Sequence, residues 1–242
     1  MYFKITLNRL ILFLNWVFAL FPISFIAGNL VLNIHFLIFL ILGFIYLIKK
    51  KPEINFNLIL CLFLFLSIIL ILSTVLNDAN ITKSIFYLRF FAFCFISYFL
   101  LKEKLFNIKN TFLFYSFIVL IICIDTIIQH FLGYNIVGIK SHSFGQIQTK
   151  VATSFFLDEK VTGSFIQNFG FYLVFAIFYK IKKNNFISII LKSFLISLIS
   201  IAIFVSFQRV PMMIWIIFLF SYGIIYYKKR LTTVLISLVI FS

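Results

Sequence analysis

Charge is scarce in this chain, and acid is scarcer still. Asp, Glu, Lys and Arg make up 11% of the 242 residues, and only six are acidic. A soluble domain carries roughly 25% charged residues to cover its wetted surface. With 64% of its residues hydrophobic, this chain is not one. Cysteine is sparse too. Cys61, Cys94 and Cys123 all fall inside apolar runs, with no CxxC and no Cys/His spacing. Neither a disulfide framework nor a zinc site is supported, and they read as small apolar packing residues. Proline and glycine number only 3 and 8. Pro52 lies in a loop, and Pro22 and Pro211 sit near the ends of apolar runs, which is not the pattern of helices broken at mid-membrane.

What is abundant is apolar sequence, in runs close to the ~20 residues a helix needs to cross hydrocarbon. The runs cover residues 10–27, 31–48, 56–76, 84–101, 111–132, 163–180, 186–206 and 210–227, with short polar segments between them. The first is long enough to span and is followed by others, so it reads as an anchor rather than a cleaved signal. A ninth run starts at Leu231 and stops at Ser242, too short to cross. The expected fold is an all-α polytopic membrane protein with about eight complete transmembrane helices plus a truncated ninth. It forms a single transmembrane helical domain over residues 1–242, with a C-terminal part expected to be missing.

The net charge of +15 raises the question of nucleic acid. The basic residues, however, come in short clusters between apolar runs, as membrane loops require, and not along one face. Segments on one side carry Lys4, Arg9, Lys49, Lys50, Lys51, Lys102, Lys104, Lys109, Lys180, Lys182, Lys183, Lys228, Lys229 and Arg230. The alternate segments carry only Lys83, Arg89, Lys140, Lys150, Lys160 and Arg209, and Lys192 lies within a run, where it is expected to snorkel. The richer side is cytoplasmic by the positive-inside rule. The N-terminus is therefore expected inside, and the one sizeable loop, residues 133–162, outside.

Lysine outnumbers arginine 17 to 4 in a composition rich in Phe, Ile, Lys and Asn, typical of AT-rich coding. Against that background each arginine is informative. Arg209, in Ser206-Phe207-Gln208-Arg209-Val210-Pro211, interrupts an apolar stretch from Phe186 to Tyr227 that is too long for one span. The stretch must fold as a hairpin with Arg209 at its outer tip, and Pro211 suits the first turn of the returning helix. Arg209 is either an interfacial arginine snorkelling to lipid phosphate or a fixed cation for a phosphate, to which its planar fork is suited. Arg89 lies about one turn into its run, and the same two readings stand, since charges inside spans usually face the bundle interior or a wet cavity.

Asp125 and Gln129 share a helix face at i, i+4, and a buried Asp125 needs a partner, for which Arg89 is a candidate. His130, His142 and His35 are isolated. The acidic pair Asp158 and Glu159, just before a run, reads as a general base, a partner for sugar hydroxyls, or a solvated helix start.

These segments together resemble the O-antigen polymerase and O-antigen ligase superfamily of bacterial envelope glycan enzymes. Phe21-Pro22-Ile23-Ser24-Phe25-Ile26-Ala27-Gly28-Asn29 resembles the family's early span boundary, and Leu88-Arg89-Phe90-Phe91 its arginine-bearing span. Asp125 to Gln129, followed by Gly133-Tyr134-Asn135-Ile136-Val137-Gly138, resembles a D-x3-Q-x3-G-x-[DN]-x2-G pattern. Ser154-Phe155-Phe156-x-Asp158-Glu159-x-x-x-Gly163-Ser164 resembles the outer-loop motif of the polymerase branch, and Gln208-Arg209 falls where the family often has Glu-Arg or Ser-Arg. Lys150 stands where the family usually has arginine. The family's later outer loop, where a functional histidine is expected, is absent from this sequence.

The resemblance implies a bacterial inner-membrane glycosyltransferase, periplasmic at loop 133–162, of the kind that builds exopolysaccharide or lipopolysaccharide. Its substrate would be an oligosaccharide on polyprenyl pyrophosphate in the outer leaflet. The transfer would be metal-free and without cofactor. Arg209, Arg89, Asp158 and Glu159 are the expected catalytic residues, and Lys150, Asp125 and Gln129 the expected substrate-binding ones. Membrane lipids and a chain-length regulator or other envelope-assembly proteins are the implied partners, and nucleic acid is not. A flippase for the same lipid-linked sugar and a non-catalytic membrane subunit are the competing readings. The first places ionisable groups near the midplane, whereas here they cluster at the outer boundary. The second predicts that Arg89 and Arg209 tolerate glutamine.

Overall fold

The computed structural model describes residues 7–51, 58–77, 81–143, 150–156, 161–180 and 186–226. The ninth apolar run and the pair Asp158 and Glu159 lie outside them. Among the described residues nine α-helices follow one another: α1 Leu7–Ala19, α2 Phe21–Ile26, α3 Asn29–Lys50, α4 Leu58–Leu76, α5 Ile81–Lys102, α6 Ile108–Leu132, α7 Thr162–Lys180, α8 Phe186–Val205 and α9 Arg209–Tyr226. Three of them, α3, α6 and α8, are long and apolar enough to cross a membrane, and Leu7–Ala19, Leu64–Leu76 and Arg209–Gly223 are shorter apolar helices. Against the expectation of eight spans, the described residues thus show three helices of full length and hydropathy and several shorter apolar ones.

The helices turn apolar side chains outward. Leu30 and Ile48 on α3 are 74% and 71% exposed, and Phe186 and Ile187 on α8 are 79% and 78% exposed. Soluble monomers rarely present continuous apolar faces of this kind, whereas a bilayer solvates them.

The chain divides into two compact units, Met1–Thr111 and Phe112–Ser242. In the first, α3 packs against α1, α2 and α5, and α4 against α5. Its core is largely aromatic. Phe18 stacks on Phe106 at 4.4 Å between ring centroids, and Phe21 meets Phe36, Phe39 and Phe93 edge-on at 4.9, 6.0 and 5.0 Å. Gly43 lets α3 and α5 approach closely, since a Cβ there would collide with the Ile96 side chain.

The apolar run 10–27, read from sequence as one span, is two helices. The break follows from Pro22, which sits in the first turn of α2 and has no N–H to continue the ladder from α1. A polar pin crosses the break. His35 Nε2 bonds the Val17 carbonyl at 2.6 Å, and its Nδ1 meets the Ser24 hydroxyl. A carbonyl can only accept, so Nε2 carries a proton, and in the neutral tautomer that this leaves Nδ1 accepts from Ser24.

In the second unit α7 packs on α8 and α9, and α8 on α9. Tyr115 of α6 meets Phe169 and Tyr172 of α7 edge-on at 5.4 and 5.2 Å, and Trp215 Nε1 donates to Ser200 Oγ at 2.9 Å to join α9 to α8. Lys192, expected to snorkel, is instead only 7% exposed and engaged. It shares the buried face of α8 with Ser188, Ile199 and Ile203.

The segment between α6 and α7 carries short regular elements among its described residues. Strands β1 His142–Ser143 and β2 Lys150–Val151 pair antiparallel, and a single 3₁₀ turn follows at Ser154–Phe156.

Candidate functional site

The site is built outward from the end of α6. Asp125 and Gln129, one turn apart on the same face, are both fully buried. Asp125 Oδ1 accepts the Ile136 N–H at 2.8 Å, and Oδ2 accepts the Ser154 hydroxyl at 2.5 Å. Gln129 Oε1 accepts the Ser154 N–H at 2.6 Å, and its Nε2 donates to the Ile139 carbonyl at 3.2 Å. A buried carboxylate needs such partners. Here the structure supplies neutral donors of the following loop.

The spacing of the motif now has a physical meaning. Gly133, at φ +81°, ends α6 in the left-handed region that glycine adopts without penalty, with its N–H on the Gln129 carbonyl at 2.9 Å. Buried Asn135 folds the next turn on itself. Its Oδ1 accepts from the N–H groups of Val137 and Ile139 at 3.1 and 2.7 Å, and its Nδ2 donates to the Ser154 carbonyl at 3.2 Å. Ser154 adopts φ +51°, unusual for a residue with a Cβ, and is over-determined by hydrogen bonds to its N–H, carbonyl and hydroxyl.

The residue before Ser154 carries the next link. Thr162 Oγ1, at the start of α7, donates to the Thr153 carbonyl at 2.7 Å. Two residues on, the Ser164 N–H and hydroxyl both donate to Gln208 Oε1, at 2.9 and 3.0 Å. Gln208, which lies in the α8–α9 turn, therefore caps α7 from outside. Between them Gly163 has no room for a side chain, because a Cβ would run into Ser206 Oγ and the Gln208 side chain. The starts of α7 and α9 are thus held side by side. Phe207, at φ +52°, closes the ring by placing its phenyl 6.1 Å from the His130 imidazole of α6.

Three polar atoms in this ring are buried with no hydrogen-bond partner: His130 Nδ1, Thr153 Oγ1 and Gln208 Nε2. Each such atom costs about 1–3 kcal/mol when left unpaired.

The sequence-predicted residues fall as follows. Asp125 and Gln129 anchor the loop, and their polar atoms are occupied by it, so the geometry gives them a positioning role. Lys150 enters the ring's segment through the backbone of β2, and its side chain lies outside the described residues, as do Asp158 and Glu159 entirely. Arg209 is the first residue of α9 and is exposed, immediately after the capping Gln208. Arg89 belongs to the first unit. Its guanidinium lies 6.0 and 5.0 Å from the ring centroids of Phe36 and Phe90, and its Nε is buried without a hydrogen-bond partner. Such cation–π contacts hold a guanidinium in place at ~0.5–2 kcal/mol.

Sequence reasoning passed over the roles of Thr153, Thr162, Ser164 and Gln208. Only Gln208 carried a signal, as a polar residue in an apolar stretch beside an arginine. The chain matches no family model, no curated protein and no solved structure.

Proposed function

We propose that this chain is an outer-leaflet glycosyltransferase acting on an oligosaccharide carried by polyprenyl pyrophosphate, in the manner of O-antigen or exopolysaccharide polymerases and ligases. One observation carries the reading beyond the motif resemblance. Three hydrogen-bonded links, Ser154 to Asp125, Thr162 to Thr153 and Ser164 to Gln208, joined by the backbone between neighbouring residues, hold the α6–α7 loop against the start of α9, where Arg209 stands exposed. Arg209 stands at the start of α9, where a helix N-terminus and a cation together favour an anion.

In this reading the chain crosses the bacterial inner membrane eight times with its N-terminus in the cytoplasm, and the ring faces the periplasm. An acceptor hydroxyl attacks the anomeric carbon, a new C–O bond forms, and the bond to the lipid pyrophosphate breaks. The acceptor proton passes to a carboxylate, for which Asp158 or Glu159 is proposed. Negative charge develops on the departing pyrophosphate, where Arg209 has its largest effect.

The test compares charge with shape in the full-length protein. Arg209→Lys keeps the charge but loses the bidentate fork, and Arg209→Gln loses both. Glycan transfer from a lipid-linked donor should fall roughly ten- to a hundred-fold for glutamine, corresponding to a lost charge-assisted contact of about 1.5–3 kcal/mol. Lysine should also be strongly impaired, with both proteins at normal abundance. Full activity of Arg209→Gln removes the residue from the mechanism. Activity of the lysine variant near wild type indicates an arginine that only snorkels.

A further inference from the structure

We propose that the end of the first unit at which α3 and α5 finish is a seat for an anionic phospholipid, its phosphate among Lys51, Lys104 and their neighbours and an acyl chain along the exposed face of α3. The proposal needs only the membrane character of the chain and stands apart from the glycosyl-transfer reading.

Two stripes run along α3, one of the helices long and apolar enough to cross a membrane. Phe36, Phe39, Gly43 and Tyr46 form the buried one. It continues to Lys50, whose Nζ lies 3.4 Å from Glu103 Oε2 just beyond α5. Leu30, Ile34, Leu37, Ile41, Phe44 and Ile48, spaced alternately by four and three residues, form the other. All six are at least 47% exposed. The next step of that spacing is Lys51, also exposed. An apolar track about 27 Å long, at a rise of about 1.5 Å per residue, thus ends in a cation.

More cations gather at this end than the helices themselves require. Lys49, Lys50 and Lys51 close α3, Lys102 and Lys104 close α5, and all five are exposed. The contact of Lys50 with Glu103 makes the two ends neighbours. Glu53, two positions past Lys51, lies outside the described residues. A helix C-terminus favours a cation in its last turn, but that does not explain where two of these lysines sit. Lys51 at φ +45° and Lys104 at φ +54° occupy the left-handed position that ends each helix. Glycine is the usual residue there, because a Cβ is penalised. Both turns are well formed, with the Lys51 N–H on the Leu47 carbonyl and the Leu105 N–H on the Leu100 carbonyl, each at 2.9 Å. After α6 the same chain places Gly133 in the left-handed turn. A lysine held against backbone preference at both turns points to a charge needed in that place.

An anionic lipid meets both features at once. Clusters of about four to eight cations beside a membrane helix attract anionic headgroups, and the apolar track receives the tail. A second copy of the chain packed on the track in the same orientation would set Lys51 against Lys51, a like-charge contact. A phosphate between the lysines replaces that repulsion with attraction.

The left-handed turns supply the test. Lys51→Gly with Lys104→Gly removes two charges while relieving both backbones. Lysines that serve only the fold predict unchanged or higher thermal stability and unchanged lipid binding. We expect stability to be held or raised, while affinity for dioleoyl phosphatidylglycerol falls about ten-fold or more. The full chain in dodecyl maltoside is titrated with that lipid, with dioleoyl phosphatidylcholine and with glycerol phosphate, and bound lipid is counted by native mass spectrometry. Wild type should prefer the anionic lipid by about ten-fold or more, and the preference should shrink as salt is raised. Lys51→Arg with Lys104→Arg should retain it, as should Lys140→Gln, which removes an exposed lysine of the other unit. Lys102→Gln with Lys104→Gly, which leaves α3 intact, replaces the glycine pair should that protein fail to accumulate. Equal affinity of wild type for the two lipids overturns the seat, as does a charge-depleted variant with the wild-type preference. Displacement of the lipid by an equal concentration of glycerol phosphate assigns the lysines to a soluble anion instead. A dimer that added lipid does not disperse assigns the track to a second copy. Either result overturns the lipid assignment, and none of these readouts involves glycan transfer, so the Arg209 test stands or falls separately.

Discussion

The two units of this chain are held by different forces. The first is joined chiefly by aromatic rings: Phe18, Phe21, Phe36, Phe39 and Phe93 meet one another at stacked and edge-on geometries. At its loop end the second is joined by a buried hydrogen-bonded network running from Asp125 to Gln208. In water both would be reinforced by the hydrophobic effect. In lipid the tails are as apolar as the side chains, so apolar packing there rests on van der Waals contact and shape alone. A packed aromatic cluster degrades gradually as contacts are lost. A buried polar network fails abruptly, because removing one member leaves its partners unsatisfied.

The largest effect is therefore expected at Asp125. Asp125→Ala leaves the Ile136 N–H and the Ser154 hydroxyl without acceptors in a fully buried place. It should destabilise the protein by about 3 kcal/mol or more. Asp125→Asn keeps one acceptor for Ile136, and its amide can donate to Ser154, so less than half of that loss is expected. Unfolding by denaturing detergent, followed with a tryptophan or a labelled cysteine, ranks the two. Equal losses from alanine and asparagine would mean that the negative charge, and not the hydrogen bonding, is what the site requires.

How much of this was legible beforehand differs between the units for the same reason. The first eight apolar runs lie on helices where they are described, because length and composition are local properties. The D-x3-Q-x3-G-x-N-x2-G spacing was visible as a pattern, and Gly133 and Gly138 could be read as turn residues. Their purpose was hidden, because the partner of Asp125 is Ser154, 29 positions on, and the partner of Ser164 is Gln208, 44 positions on. Nothing local marks such pairings. The division of the first run at Leu20 was hidden for the opposite reason: the hydrophobicity continues unbroken through Pro22, and only the missing N–H interrupts the helix. Lys192 was misjudged because its position along the helix suggested the interface, whereas its rotational position on α8 places it on the buried face.

A middle-sized effect is expected in the aromatic cluster. Phe21 is 4% exposed and touches Phe18, Phe36, Phe39 and Phe93. In a water-soluble core a Phe→Ala change costs about 3–5 kcal/mol, part of which is transfer from water. In a bilayer that part is largely absent, so Phe21→Ala should cost about 2 kcal/mol, from lost ring contacts and the cavity alone. Measuring the same variant in micelles and in nanodiscs sharpens the comparison. A loss equal to the full soluble value in nanodiscs would show that this cluster is not surrounded by lipid.

The smallest effect concerns a polar contact inside the aromatic unit, the pin of Ser24, His35 and Val17 at the α1–α2 break. Ser24→Ala removes the partner of His35 Nδ1 and should cost about 1 kcal/mol. His35→Phe loses both of its bonds, but the ring it replaces already lies 4.4 Å from the centroid of Phe21, so a phenyl can join the aromatic cluster. The Ser24 hydroxyl then still has the Leu20 carbonyl at 3.3 Å. Combining the two changes removes both sides of one hydrogen bond and leaves only the Val17 carbonyl without its partner, a cheaper defect than an orphaned donor. The double variant should therefore be less destabilised than the sum of the single ones, by about 0.5–1 kcal/mol. Thermal unfolding of the four proteins in one detergent gives the coupling directly. Strict additivity would mean that Ser24 and His35 act independently, and would remove the pin from the account of how the broken first run is held.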